Sequence, residues 1–175
     1  MKKRIHVDVD RRNIMKKTGG LLLAASVGSS LALSAARAHA AASAVTQTKE
    51  TQAAITPQKA LQMLKEGNTR FVQGKMLKRD LMQQVKATAA GQFPFAAFVS
   101  CIDSRESMQL IFDQGIGDIF NARVAGNFVN DDILGSLEFA CAAAGARLIV
   151  VMGHTECGAI KGACDDIVLG NLTQT

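Results

Sequence analysis

The chain has 175 residues, of which 48% are apolar and 20% charged; it contains no Trp or Tyr and has four cysteines. This length fits one modest domain, and the apolar content excludes a disordered chain, because enough apolar surface can be buried to offset the entropy of ordering. The net charge of +5 lies almost wholly in residues 1–40, which carry +6 and leave −1 for the remainder. Because residues 41–175 have no net positive charge to attract phosphate groups, nucleic-acid binding is not expected.

Residues 1–40 have the pattern of an export signal. A basic stretch that includes Arg11 and Arg12 precedes an apolar run over residues 21–36, and Ala38-His39-Ala40 offers a small-x-small cleavage site. The paired arginines resemble a twin-arginine signal, which predicts a periplasmic or secreted protein. A transmembrane anchor is the less favoured alternative, because an apolar run of about 16 residues is shorter than the ~20 that cross a bilayer. We therefore expect no stable membrane span once the signal is removed.

The segment after the predicted signal changes from polar to helical. Residues 41–56 have no apolar periodicity and are interpreted as a solvated linker. Thr56 is placed to cap a helix, and Pro57 suits its first position, where the missing N–H costs nothing. Apolar residues then recur at spacings of three and four, and a second, looser helical pattern covers residues 80–90.

Three apolar runs farther along the chain predict fully buried strands. They cover residues 95–100, 118–124 and 147–152. Helical patterns over residues 108–114 and 131–144 separate them, and a last helix is predicted to begin near residue 158. This alternation predicts an α/β fold, in which right-handed crossovers build a parallel sheet core flanked by helices, with further helices at the N-terminal side.

Metal-binding side chains follow two of the predicted strands. Cys101 comes directly after the first strand, and His154 and Cys157 come after the third. The carboxyl ends of parallel strands meet at one edge of a sheet, so these residues are expected to lie close together. A Cys2His set can hold zinc in a tetrahedral site with one position open to water. A buried structural cysteine and a chance His-x-x-Cys spacing remain the alternatives.

Asp103 and Arg105 add a feature that a purely structural metal site does not need. Arginine can hold a carboxylate through two parallel hydrogen bonds, and a carboxylate held in this way can orient water at a metal. The alternative is an ordinary salt bridge within a loop. Cys141 and Cys164 fall within helical patterns and are expected to be buried thiols rather than metal ligands.

These motifs together resemble the β-class carbonic anhydrases. The resemblance lies in Cys101-x-Asp103-x-Arg105, in residues 123–127 (Arg-Val-Ala-Gly-Asn) and in residues 153–159 (Gly-His-Thr-Glu-Cys-Gly-Ala). Several spaced motifs in the right order make it specific.

The resemblance extends over roughly residues 57–170, since residues 66–71 of the first long helix also match. Val124 departs from it, because relatives commonly have Asn there. Relatives also continue for several tens of residues beyond the point that matches Thr175, so the domain over residues 57–175 is expected to be incomplete at its C-terminus. Such a chain is expected to expose sheet edges, to weaken its dimer and to be aggregation-prone or poorly active.

The resemblance implies a function and a set of site residues. It implies reversible hydration of carbon dioxide to bicarbonate and a proton, with one zinc ion per subunit bound by Cys101, His154 and Cys157. Asp103 and Arg105 would form the catalytic dyad beside the metal. Four further residues match substrate-binding positions: Gln92, Phe120, Ala125 and Gly158. The family forms homodimers, often paired into tetramers, and Gln92 matches a glutamine that reaches the active site across the dimer interface.

Two other functions remain open at the level of sequence. One is a non-catalytic structural zinc module, in which Cys141 or Cys164 completes the metal coordination. The other is a periplasmic thiol oxidoreductase, because exported proteins with several cysteines often form disulfides. The second is disfavoured, since the sequence contains no Cys-x-x-Cys pair.

Overall fold

The computed structural model describes residues 45–170, and the predicted signal over residues 1–40 lies outside them. The helices are α1 (Lys49–Ala54), α2 (Pro57–Val72), α3 (Leu81–Thr88), α4 (Met108–Ile111), α5 (Asp131–Glu138) and α6 (Gly158–Cys164). The strands are β1 (Ala96–Ser100), β2 (Ile119–Arg123) and β3 (Leu148–Met152). A turn of π-helix, Phe139–Ala143, directly continues α5. In the described part, no helix is both long enough and apolar enough to pass through a bilayer.

The three strands form a parallel sheet in the order β2-β1-β3. This is the predicted α/β architecture, with helices on both faces of the sheet. Every residue of the central β1 is buried, whereas exposure alternates along β2 and β3. The prediction that all three strands are fully buried is therefore wrong for β2 and β3. Each of them forms an edge of the described sheet, so one of its faces is only partly covered.

A separate apolar cluster packs against each face of the sheet. On one face, Phe98 of β1 packs with Leu64 of α2 and Met108 of α4. On the other face, Val99 packs with Leu137 of α5 and with the π-helical turn that follows it. Successive residues of β1 thus point to opposite layers, as the pleat of a strand requires.

The start of α2 follows from local sequence chemistry. The side chain of Thr56 accepts a hydrogen bond from the backbone N–H of Lys59, 3.1 Å away, and Pro57 occupies the first turn. Both features satisfy or remove donors that a helix N-terminus would leave unpaired. The predicted cap is confirmed.

The prediction of a solvated linker over residues 41–56 is wrong for α1. Gln52 of this short helix is only 6% exposed. Its side-chain amide donates to the carbonyl oxygens of Pro94 at 2.7 Å and Ala144 at 2.8 Å. Gln52 is buried through hydrogen bonds and not through apolar contacts. Its burial therefore produces no apolar periodicity from which the helix could be predicted.

A buried carboxylate fastens α2 to the end of α4. Asp113 has no exposed side-chain surface and accepts hydrogen bonds from Arg70 of α2, from Arg79 and from the backbone N–H of Leu77. Burial raises the pKa of Asp113, but the two guanidinium groups outweigh it, and the pKa falls below its usual value. The ionised carboxylate of Asp113, which follows β1 in the chain, thus binds α2 and the segment between α2 and α3, both of which precede β1.

Gly67 allows α2 to approach the end of α4 closely. A Cβ atom at this position would overlap the carbonyl group of Phe112 and would crowd the side chain of Gln114. Asn68, the next residue, donates from its side chain to the carbonyl oxygen of Ile111 at 3.0 Å. Only a residue without a side chain fits here, because the obstacle is backbone rather than a movable side chain.

We predict that Gly67→Ala lowers the free energy of unfolding by about 3 kcal/mol, since overpacking would force α2 and α4 apart. Gly135→Ala is the matched control, because a Cβ there meets nothing within 4 Å. That control should raise the free energy of unfolding by about 0.5 to 1 kcal/mol through better helix propensity. Urea unfolding followed by circular dichroism measures both. A change of the same sign in the two variants would contradict the prediction.

Candidate metal centre

The structure brings Cys101, His154 and Cys157 together at the carboxyl edge of the sheet. One ligand atom from each residue lies within 4.8 Å of the others, and the two sulfur atoms are 3.9 Å apart. Cys101 directly follows β1, His154 follows β3, and Cys157 caps the N-terminus of α6. Both cysteines are buried, and the side chain of His154 is 14% exposed.

The hydrogen bonding of the His154 imidazole leaves one ring nitrogen available to bind a metal. Its Nδ1 lies 2.9 Å from the carbonyl oxygen of Thr155, to which an Nδ1–H can donate. This tautomer leaves a free lone pair on Nε2, which is buried and has no hydrogen-bond partner among the described residues. A backbone hydrogen bond at one ring nitrogen is the usual arrangement when the other nitrogen binds a metal. Together with two thiolates, this donor set fits zinc.

The loop after β2 stabilises the thiolate form of Cys101. The backbone N–H of Gly126 donates to Cys101 Sγ across 3.4 Å. Gly126 has a φ of 79°, a conformation that favours glycine. Burial raises the pKa of the Cys101 thiol, but this hydrogen bond and the neighbouring His154 outweigh it and lower the pKa to about 7. The sulfur is therefore readily ionised near neutral pH, as metal binding requires.

Asp103 and Arg105 form a bidentate ion pair beside the cysteines. Arg105 Nε donates to Asp103 Oδ1 at 2.9 Å, and Arg105 Nη2 donates to Oδ2 at 2.8 Å. These bonds hold the pKa of the Asp103 carboxyl far below its usual range. Asp103 Oδ2 also lies 3.8 Å from Nε2 of His154. An ionised carboxylate with a fixed direction therefore borders the ligand cluster.

Two charged side chains that the sequence analysis gave no role hold this loop in place. Arg123, the last residue of β2, donates to the carbonyl oxygens of Cys101 at 2.8 Å and Asp103 at 2.7 Å. Glu106, which is 4% exposed, accepts a hydrogen bond from the backbone N–H of Cys101 at 3.1 Å. Arg123 is the first residue of the motif over residues 123–127. Its contact with the loop after β1 depends on the register between β1 and β2, which cannot be deduced from the motif.

The predicted substrate-binding residues occupy separate places in the subunit. Phe120 lies on β2 and packs edge-on against Phe139 beside an open cavity of about 510 Å³. Ala125 is partly buried in the loop after β2, and Gly158 begins α6 with open space around it. Gln92 is exposed and precedes β1, whereas Cys101 follows that strand. A role for Gln92 at the metal centre therefore stays a prediction that needs a second subunit.

The two remaining cysteines lie outside the ligand cluster of the described residues. Cys141 is partly buried in the π-helical turn, and Cys164 is exposed at the end of α6. The prediction of a buried thiol is wrong for Cys164. The reason is that no residue of α6 is buried in the described structure, so its helical pattern does not correspond to a packed face.

Comparison with known proteins agrees with the geometry of this site. Residues 96–174 match the family model described as carbonic anhydrase. Carbonic anhydrase 2 of Mycobacterium tuberculosis is 44% identical over 117 residues, which cover 66% of this chain and 56% of the relative. The carbonic anhydrase of Mycolicibacterium smegmatis is 42% identical over 107 residues, which cover 60% of this chain and 52% of the relative. This chain thus spans about half the length of the curated relatives it matches.

Among solved structures, the β-carbonic anhydrase CafA of Aspergillus fumigatus is similar to this chain. It is 28% identical, with a TM-score of 0.48, and the match covers 66% of this chain and 54% of that one.

Proposed function

We propose that the protein is a zinc-dependent β-class carbonic anhydrase that reversibly hydrates carbon dioxide to bicarbonate and a proton, since residues 96–174 match the family model described as carbonic anhydrase. The observation that carries the proposal is the Cys2His cluster with the ionised Asp103 at its border. A structural zinc site does not need this carboxylate, whereas a site that must orient water does.

Cys101, His154 and Cys157 would hold one zinc ion per subunit. When bound, zinc supplies Lewis-acid chemistry that makes water a nucleophile near neutral pH. Two thiolates and one imidazole leave a fourth tetrahedral position open. The hydrogen bond from Gly126 and the contact between His154 and Thr155 fix two of these ligands before metal arrives.

Asp103 would orient the reacting water. Because Arg105 keeps the carboxylate ionised, Asp103 can accept a hydrogen bond from the attacking water and direct a lone pair toward carbon dioxide. The backbone N–H of Gly158 is a candidate donor to a substrate oxygen, and Phe120 and Ala125 would line the apolar part of the pocket. His154 would be occupied as a ligand, so a buffer molecule or another residue would accept the released proton.

We also propose that the active form is a homodimer or homotetramer, in which Gln92 reaches the site of a neighbouring subunit. The exposed position of Gln92 and the exposed apolar side chains of β3, Ile149 and Val151, are consistent with a further covering chain.

A non-catalytic zinc module with four protein ligands is less well supported. It would need Cys141 or Cys164 near the cluster, and both lie outside it in the described structure. A thiol oxidoreductase is also less well supported, because Cys101 and Cys157 are arranged with an imidazole and a carboxylate that a disulfide exchange reaction does not require.

We predict that the purified protein binds one zinc ion per chain and that Cys157→Ser abolishes stoichiometric binding, since a hydroxyl is a much weaker zinc ligand than a thiolate. Metal analysis after exhaustive dialysis measures this. Cys164→Ser is the matched control and should keep the full equivalent, because its thiol is exposed and lies outside the cluster. Full zinc content in Cys157→Ser would show that the ligand assignment is wrong.

We predict that Asp103→Asn lowers the rate of carbon dioxide hydration by about a hundredfold, because the amide cannot replace the carboxylate as an acceptor of defined direction. Arg105→Lys should also lower the rate, since lysine cannot form the bidentate pair. Stopped-flow hydration assays normalised to bound zinc test both variants. Parallel losses of zinc and activity would instead indicate a purely structural role for the pair.

We further propose that the protein is exported in a folded, metal-loaded state to the periplasm, or secreted, by the twin-arginine route. The support lies in the sequence of residues 1–40. Replacing Arg11 and Arg12 together by Lys is expected to retain the protein in the cytoplasm, as immunoblots of cell fractions would reveal. Unchanged delivery to the periplasm would instead favour the general secretory route.

A further inference from the structure

Glu106 is a buried carboxylate whose position calls for a functional explanation. It lies in the loop between β1 and α4, and only 4% of its surface is exposed. Its Oε2 accepts the hydrogen bond from the backbone N–H of Cys101 at 3.1 Å. Its Oε1 is buried and has no hydrogen-bond partner among the described residues. Burial of a carboxylate oxygen without a hydrogen-bond partner costs stability, so the presence of Glu106 at this position calls for a reason other than stability.

The backbone of Cys101 is held from two sides. Glu106 accepts from its N–H, while Nε of Arg123 donates to its C=O at 2.8 Å. The backbone N–H of Glu106 also donates to the carbonyl oxygen of Asp103 at 2.9 Å, which closes a turn and brings the glutamate side chain back to Cys101. These contacts leave little freedom for rotation of the peptide groups that flank Cys101.

The direction of the Cys101 side chain depends on these peptide groups. Cys101 Sγ must meet Cys157 Sγ, 3.9 Å away, and the Nε2 atom of His154 within the same cluster. Cys101 directly follows β1 and lies in a loop, where the sheet ladder no longer fixes its backbone. The hydrogen bond to Glu106 fixes the backbone of Cys101 in place of the sheet hydrogen bonds.

We propose that Glu106 is a positioning residue for the metal centre, which fixes the backbone of Cys101 so that its sulfur meets the other two ligands. This inference rests on the proposed zinc site. A residue that orients a metal ligand from outside the coordination sphere contributes about ten- to a hundredfold to metal affinity. The oxygen that accepts from Cys101 is the essential part of Glu106, so an amide of the same shape can replace the carboxylate.

Two variants with unbranched side chains of similar length separate the hydrogen bond from packing. Glu106→Gln keeps an acceptor oxygen, whereas Glu106→Met fills the same space without one. Zinc affinity is measured by competition with a chromophoric chelator, so the assay does not depend on carbon dioxide hydration. We expect zinc to bind at least tenfold more weakly to Glu106→Met and within about threefold of wild type to Glu106→Gln. Glu138→Met, an exposed position at the end of α5, is the control and should bind like wild type.

Cobalt substitution supplies a readout that a general loss of stability would not produce. In cobalt-loaded Glu106→Met, the thiolate-to-cobalt charge-transfer absorbance should fall toward that of a site with one well-placed thiolate. Glu106→Gln should keep the wild-type spectrum. Zinc affinity and spectrum of Glu106→Met equal to wild type would overturn the inference, and so would equal losses in Glu106→Gln and Glu106→Met.

The assay also distinguishes this inference from the proposed function. Wild-type protein that binds zinc but hydrates no carbon dioxide would remove the proposed function and leave the role of Glu106 to be decided by the two variants. Wild-type protein that binds no zinc would overturn both.

Discussion

The parallel register of β1 with its two neighbours is the constraint on which the metal centre depends. Ser100, the last residue of β1, pairs with Arg123 at the end of β2 and with Met152 at the end of β3. All three strands therefore end at the same level of the sheet. The segments that follow them carry Cys101, Gly126 and His154, and no further folding of these loops is needed to bring the three residues together. A shift of one residue in either pairing would rotate the side chains to the opposite face and separate the ligands.

Several charged and polar groups near this edge are held by hydrogen bonds. Arg105 holds Asp103, Arg123 holds two carbonyl oxygens of the same loop, and the amide of Gly126 contacts a sulfur. The contacts involve backbone groups as often as side chains, which makes the loop stiff. A preorganised site of this kind loses little freedom when a cation binds, so more of the interaction energy appears as affinity.

Much of the fold and of the ligand set could be predicted because it depends on local signals. Thr56 and Pro57 mark the start of α2, and apolar runs mark each strand within one or two residues. The rest depends on contacts that sequence spacing does not encode. Whether β3 is covered on both faces is decided by its place in the sheet, and not by its composition, which is as apolar as that of β1.

Buried polar contacts escaped prediction for a related reason. Gln52 and Glu106 are of residue types that are usually exposed, and each is buried because it binds a backbone group that the tertiary structure brings to it. Gly67 belongs to the matching segment of residues 66–71, but the reason for a glycine there is the close approach of the Phe112 carbonyl, which depends on how the two helices pack.

The candidate metal ligands include Cys157, the residue that directly precedes α6. No residue of α6 is buried, whereas Cys157, which precedes it, is buried and lies against Cys101. The described part of the chain therefore buries no side chain of α6 against the sheet. The two sulfur atoms lie 3.9 Å apart, and a cation bound by both would link the loop after β1 to the start of α6. If the proposed zinc ion binds only the ordered arrangement of Cys101 and Cys157, its binding would also stabilise the position of the start of α6.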